Sequence, residues 1–178
     1  MKQIEVECKI KVKDVNEIRN KIKKIARFVK NENKKDEYFS LEYFRYPEKS
    51  LRVRDKGKKR EVNFKQRINY INGIHAKKEV QFEISDIDGF YDLINDFGFK
   101  KWMSKEKKTE LYRTKNGVHI ELNFVKNLGW FLEIEVLCSE KDVENAREKI
   151  VKVREKLGLT MRDVEKKGYT KMFWEREH

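Results

Sequence analysis

Ionic and polar side chains recur at every second residue in several short stretches of this chain: Glu5, Glu7 and Lys9; Arg52 and Arg54; Asn63, Lys65 and Arg67; Glu79, Gln81 and Glu83; Glu133 and Glu135. On an extended strand that spacing puts each set on one side. The signs are segregated: Glu133 and Glu135 form a purely acidic pair, Arg52 and Arg54 a purely basic one. Carboxylate oxygens are hard ligands for Mg²⁺ or Mn²⁺, while arginine guanidinium groups take phosphate oxygens two at a time. Such a wall suits a metal-bound polyphosphate. An antiparallel sheet with one wet face would also carry charges at this period. Two readings stay open: a solvated outer face, or the inner wall of a closed sheet whose charges need a guest, because unpaired charge is costly to bury.

The elements that must position these groups follow from apolar periodicity. Ile4, Val6, Cys8, Ile10 and Val12 alternate with Glu5, Glu7, Lys9 and Lys11, predicting a strand over Gln3 to Val12. Asp14 and Glu17 read as a cap and capping box for a helix from Asp14 to Val29, followed by a polar turn at Asn31 to Asn33. Short strands are expected at Asp36 to Leu41, Ser50 to Arg54 and Glu61 to Arg67, with a turn at Asp55 to Lys59, and a longer strand at Ile74 to Ile84. A second helix starts near Asp86, packs through Ile87, Phe90, Leu93, Ile94 and Phe97, and stops at Gly98. A hairpin from Phe99 to Phe124 turns at Asn116-Gly117, and a last strand spans Trp130 to Leu137. A third helix opens at Ser139 and Asp142 and ends at Gly158, and a short aromatic helix or turn closes the pattern near Tyr169 to Trp174. One Pro and eight scattered Gly leave no linker, so a single domain over residues 1–178 is expected.

Composition narrows the class. The 178 residues carry 43 Lys and Arg against 31 Asp and Glu, a formal charge of +12, which attracts polyanions without choosing among nucleotides, polyphosphate, nucleic acid and anionic membrane. High charge also suits disorder, but 3 Trp, 7 Tyr and 11 Phe supply the large apolar bodies that disordered chains lack. No apolar run could span a bilayer and the N-terminus alternates at once, so a soluble, cytoplasmic protein is expected. Cys8 and Cys138 read as reduced core thiols, and His75, His119 and His178 provide no zinc spacing and no Cys/His nucleophile pair. His119 reads as a surface histidine, Trp102, Trp130 and Trp174 as packing, and the basic stretches Lys21 to Lys35 and Lys149 to Lys156 as solvated helix faces.

In order along the chain, Glu5-x-Glu7-x-Lys9, Arg52-x-Arg54, Lys65, Lys78-Glu79-Val80-Gln81, Leu128-Gly129-Trp130-Phe131-Leu132-Glu133-Ile134-Glu135 and Tyr169 resemble the motifs of the CYTH superfamily, the triphosphate tunnel metalloenzymes. Asp36-Glu37-Tyr38-Phe39 makes the pattern most similar to the class IV adenylyl cyclase subgroup. The resemblance implies an α+β fold, an eight-stranded antiparallel β-barrel with flanking helices. It implies Mg²⁺ or Mn²⁺ on Glu5, Glu7, Glu121, Glu133 and Glu135, and a triphosphate on Lys9, Arg52, Arg54, Lys65 and Lys107, with Glu5, Glu7 and Lys9 catalytic. The implied partner is a nucleoside triphosphate or inorganic polyphosphate, not a membrane and not nucleic acid; a homodimer is left open. The implied activity is conversion of ATP to cyclic AMP and pyrophosphate. The alternatives are hydrolysis of tripolyphosphate or thiamine triphosphate, and binding of polyphosphate or nucleotide without turnover. Three positions depart from the pattern: Asn123 where the family has Asp, Gln81 where Glu is common, and Thr109 where an Arg aligns. They bear on metal binding and on which phosphate is attacked.

Overall fold

The computed structural model describes residues 3–57 and 60–178; the side chain of Arg67 and the tip of the turn expected at Asp55 to Lys59 lie outside the described residues. Eight strands form a closed antiparallel barrel: β1 (Gln3–Lys11), β2 (Ala26–Ser40), β3 (Leu51–Asp55), β4 (Arg60–Ile71), β5 (Ile74–Ile84), β6 (Lys100–Thr114), β7 (His119–Val125) and β8 (Gly129–Cys138). Their order around the barrel is β1-β5-β4-β3-β2-β6-β7-β8. The helices are α1 (Val15–Ile25), α2 (Ile87–Asp96), α3 (Val143–Lys156) and α4 (Tyr169–Glu177). None is long and apolar enough to cross a membrane.

Local chemistry explains most boundaries. The Asp14 carboxylate caps α1 by accepting from the Asn16 and Glu17 N–H groups, each at 2.9 Å. The helix stops at Ile25 instead of reaching Val29, and the chain passes straight into β2 with no turn at Asn31 to Asn33. Aromatic and β-branched residues at Phe28 and Val29 favour extended backbone. There Phe28 also packs edge-on against Tyr112 of β6, ring centres 5.6 Å apart. Asn72 and Gly73 both have positive φ, 50° and 79°, as a two-residue β4–β5 hairpin requires. That turn extends β4 beyond Arg67 to Ile71.

The chain folds into two compact units, residues 1–32, 65–79 and 108–166, and residues 33–64, 80–107 and 167–178. In the first, apolar side chains of β1, β7 and β8, among them Val6, Ile10, Ile120, Leu122, Leu132 and Ile134, form a core with Ile18 and Ile22 of α1, Ile150 of α3 and Leu157, which caps the C-terminus of α3. Cys8 belongs to this core, where burial pushes its thiol up to about 11, and Cys138 is half-buried; both are free. In the second unit, Phe39, Val53 and Val62 pack with Ile94, Ile87, Phe90 and Tyr91 of α2. Leu93 and Phe97, expected in that seam, are 53% and 71% exposed. The true stripe is Ile87, Tyr91 and Ile94, spaced to lie on one helix face.

Candidate active site

Helices occupy the apolar face of the strands, so a sheet with one wet face would expose the other. It does not. Glu5, Glu7, Lys9, Glu121 and Glu133 are no more than 7% exposed, Asn123 is fully buried, and Glu135 is half-buried. The polar face is the inner wall of the closed barrel.

Within the first unit, register builds an acidic patch. Glu7 of β1 lies opposite Glu135 of β8, and Lys9 opposite Glu133. Across the other edge of β8, Glu121 of β7 faces Glu133, and His119 faces Glu135. Directly opposed like charges destabilise a sheet pair. Here Glu7–Glu135 and Glu121–Glu133 are two such oppositions, and both are withdrawn from water. Lys65 Nζ donates to Glu5 and Lys77 Nζ donates to Glu7. Burial acts most strongly on Glu7, in the raising direction, yet Lys77, Lys65 and Lys9 together hold its carboxyl well below the usual range. Glu135 goes the other way: burial first, then the neighbouring Glu121 and Glu5, push it up to about 7 despite a hydrogen bond from His119. His119, expected at the surface, is half-buried with Nδ1 3.5 Å from Glu135.

Two departures from the expected motifs meet in this patch. Thr109 Oγ1 donates to Asn123 Oδ1 at 2.7 Å, and Asn123 Nδ2 donates to Glu133 at 2.7 Å and to Glu121 at 3.3 Å. The positions at which the family pattern has Arg and Asp thus hold a neutral, hydrogen-bonded pair. An acid and a base are replaced together, leaving local net charge unchanged, and the Asn amide bridges the two glutamates. The third departure, Gln81, is exposed.

The second unit builds the opposite patch. Arg54 of β3 lies between Asp36 of β2 and Glu61 of β4, and Arg52 between Tyr38 and Asn63. Asp36, 1% exposed, accepts two hydrogen bonds from Arg54, at 2.6 and 2.9 Å, and lies 3.0 Å from Lys105 Nζ. Burial acts most strongly on Asp36, raising it, but Lys105, Arg54 and Arg52 overrule it and hold the carboxyl well below the ordinary aspartate range. Lys34 and Lys107 are buried in the same unit, so the stretch read as a solvated helix face ends in a strand with an inward lysine. Lys105 also sits over the rings of Tyr38 and Tyr169, at 5.6 and 5.0 Å. Trp102 and Trp174 pack on each other and on Tyr46, and Trp130 packs on Phe124.

Sequence reasoning missed Lys77, Lys105 and Asp36 as site residues, although Lys105 and Lys107, like Lys77 and Glu79, share the alternation that marked the others. Among the described residues no three acidic, imidazole or thiol groups converge closely enough to hold an ion. The carboxylates of Glu5, Glu7, Glu121 and Glu133 are instead engaged by Lys65, Lys77 and Asn123. The donor chemistry still fits a hard divalent cation: oxygen ligands only, opposed in like-charged pairs, with the Glu135 carboxyl pushed toward neutrality by burial and then by its acidic neighbours.

Residues 3–169 match the CYTH domain. A Methanocaldococcus jannaschii protein named "Putative adenylate cyclase MJ0240" is 27% identical over 174 residues, 95% of this chain and 98% of that protein. The solved structure of the PH1012 protein from Pyrococcus horikoshii OT3 is 34% identical, with a TM-score of 0.79 over 94% of this chain and 98% of that one. A Hippeastrum protein named "Putative adenylyl cyclase HpAC1", reported with a dominant triphosphatase activity, shares the fold at 16% identity, with a TM-score of 0.66 over 97% of this chain and 95% of that one. With the closed eight-stranded barrel and its ordered motifs, these matches show that the chain belongs to the CYTH domain family.

Proposed function

We propose that the protein is a divalent-metal-dependent enzyme that acts on a triphosphate inside the barrel as one domain spanning residues 1–178, converting ATP to cyclic AMP and pyrophosphate. The observation that carries this reading is a pair of patches of opposite sign, one of buried carboxylates and one of buried ammonium groups with the half-buried guanidinium groups of Arg52 and Arg54. Glu5, Glu7, Glu121, Glu133 and Glu135 would hold Mg²⁺ or Mn²⁺, which supplies charge neutralisation at the phosphates and a lowered pKa for the attacking hydroxyl. Arg52 and Arg54 bind phosphate oxygens through paired N–H donors, with Asp36 fixing the Arg54 guanidinium. Lys9, Lys65 and Lys107 add positive charge along the phosphates and stabilise the leaving pyrophosphate. Burial of the wall keeps competing water from these interactions.

A second reading, hydrolysis of a triphosphate to release orthophosphate, is favoured by the activity reported for HpAC1, which shares the fold. The same wall would serve, with water in place of the ribose hydroxyl. Purified protein is incubated with Mn²⁺ or Mg²⁺ and either ATP or tripolyphosphate, and products are separated by anion-exchange chromatography. Cyclic AMP with pyrophosphate from ATP supports the cyclase. Orthophosphate from either substrate without cyclic AMP supports the hydrolase, and no product from any triphosphate with either metal overturns both.

A further inference from the structure

Five exposed cations surround one concavity that shares no residue with the acidic patch. Lys23 and Lys24 come from the last turn of α1, Arg27 from the start of β2, Arg113 from the end of β6 and Lys115 from the β6–β7 turn; the hollow they line has a volume of about 610 Å³. All belong to the first compact unit. Of the five, Lys23 acts electrostatically on an acid, Glu110. Its carboxylate is already held by two guanidinium nitrogens of Arg19 and by the Tyr112 hydroxyl. The side chains of Lys24, Arg27, Arg113 and Lys115 make no ion pair or hydrogen bond with other described residues.

Ordinary surface design interleaves signs, and a helix C-terminus accounts for lysines in its last turn. That explains Lys23 and Lys24. It does not explain Arg27, Arg113 and Lys115, which lie outside the helix and add like charge to the same hollow. We propose that this concavity is a second anion site, one that binds a short chain of linked phosphates. The volume lies within the range of small-ligand sites, and concavity lets several cations meet one compact anion. The ligand is recognised by charge and not by a base, because no aromatic ring lines the hollow. Phe28, the aromatic neighbour of Arg27, packs instead on Tyr112. Single-stranded nucleic acid depends on such stacking platforms, which disfavours it here.

The site does not depend on turnover in the barrel, and the experiment separates the two. Tripolyphosphate is titrated into the metal-free protein by calorimetry at low salt, using wild type, Arg27→Glu/Arg113→Glu, and Arg52→Ala/Arg54→Ala. All four positions lie in or near exposed strand ends or within the wall, so circular dichroism melts of each variant check folding, and amide NMR shifts in wild type report the site independently. The expected result is a binding event that survives Arg52→Ala/Arg54→Ala, weakens about tenfold or more in Arg27→Glu/Arg113→Glu, and shifts the amides of Arg27, Thr114 and Gly117. ATP should match tripolyphosphate within a few-fold. No binding outside the barrel, amide shifts confined elsewhere, or single-stranded oligonucleotide binding far tighter than tripolyphosphate and lost in Arg27→Glu/Arg113→Glu would each overturn the proposal. Failure of the barrel reading would appear separately, as Arg52→Ala/Arg54→Ala leaving both binding and turnover unchanged.

Discussion

Glu135 and Asp36 are inward carboxyls in the two units of the chain, and their surroundings push them in opposite directions. Glu135, among Glu7, Glu121 and Glu5, is raised to about 7; Asp36, among Arg54, Lys105 and Arg52, is pulled well below its usual range. One patch carries more negative charge than its lysines neutralise, and the other more positive charge than Asp36 and Glu61 neutralise. An isolated structural network would balance each patch within itself, since uncompensated buried charge costs several kcal/mol. Opposite imbalances are what a site for a cation and a polyanion requires.

The largest expected effect is catalytic. Arg52→Ala/Arg54→Ala should lower kcat/KM for the triphosphate by about a hundredfold or more, read by product formation at saturating Mn²⁺. A loss of less than about threefold would mean that the basic patch is structural. Next come the carboxyls. Asp36→Asn leaves Arg54 and Lys105 without their shared partner and should destabilise the metal-free protein by about 3 kcal/mol in urea unfolding. Glu135→Gln removes a repelled charge and should stabilise it at pH 8. Equal signs for the two substitutions would break the contrast.

The Thr109–Asn123 pair tests whether the neutral swap is one unit. Asn123→Asp alone adds a buried negative charge beside Glu121 and Glu133 and should destabilise the metal-free protein. Thr109→Arg/Asn123→Asp should recover much of the loss, with a coupling energy of about 1–3 kcal/mol from the double-mutant cycle. Additive effects would mean that the two departures are independent.

The smallest effect is on pH dependence. Glu135 is raised above its unfolded value of about 4.3, so its contribution to stability is full below that pH and is lost as pH rises through about 7. Asp36 is depressed, so its contribution is present above its unfolded value of about 3.9 and is lost as pH falls through the lower folded value. Unfolding midpoints of metal-free protein should therefore decline from pH 5 to 8 in wild type but less in Glu135→Gln. The acid-side decline should shrink in Asp36→Asn.

The strands that carry the site were legible because a period of two survives in sequence: Glu5, Glu7, Arg52, Arg54, Glu133 and Glu135 could be placed on single faces from spacing alone. Which face meets water was not legible, since an outer face and an inner wall have the same alternation; closure of the barrel decides that. The end of α1 was misplaced because the apolar positions Ile18, Ile22, Ile25 and Val29 continue a helical stripe, while packing of Phe28 on Tyr112 depends on residues far along the chain. The same reason hid the bonding of Lys77 to Glu7, of Asp36 to Arg54 and of Thr109 to Asn123. Each contact depends on which strands pair and in what register, which the alternation within a single strand does not encode. The β4–β5 turn is legible in sequence as the Asn72-Gly73 dipeptide, whose two residues take the positive φ that a two-residue hairpin needs.

The most direct test is a crystal structure of the protein with Mn²⁺ and tripolyphosphate, with the metal located by anomalous scattering. The expected result is an Mn²⁺ peak within coordination distance of carboxylates from Glu5, Glu7, Glu121, Glu133 and Glu135, and phosphate oxygens on Arg52, Arg54 and Lys9. Metal and phosphate bound only on the outer surface, with Lys65 and Lys77 still closing on Glu5 and Glu7, would contradict a barrel interior built for a metal-bound triphosphate.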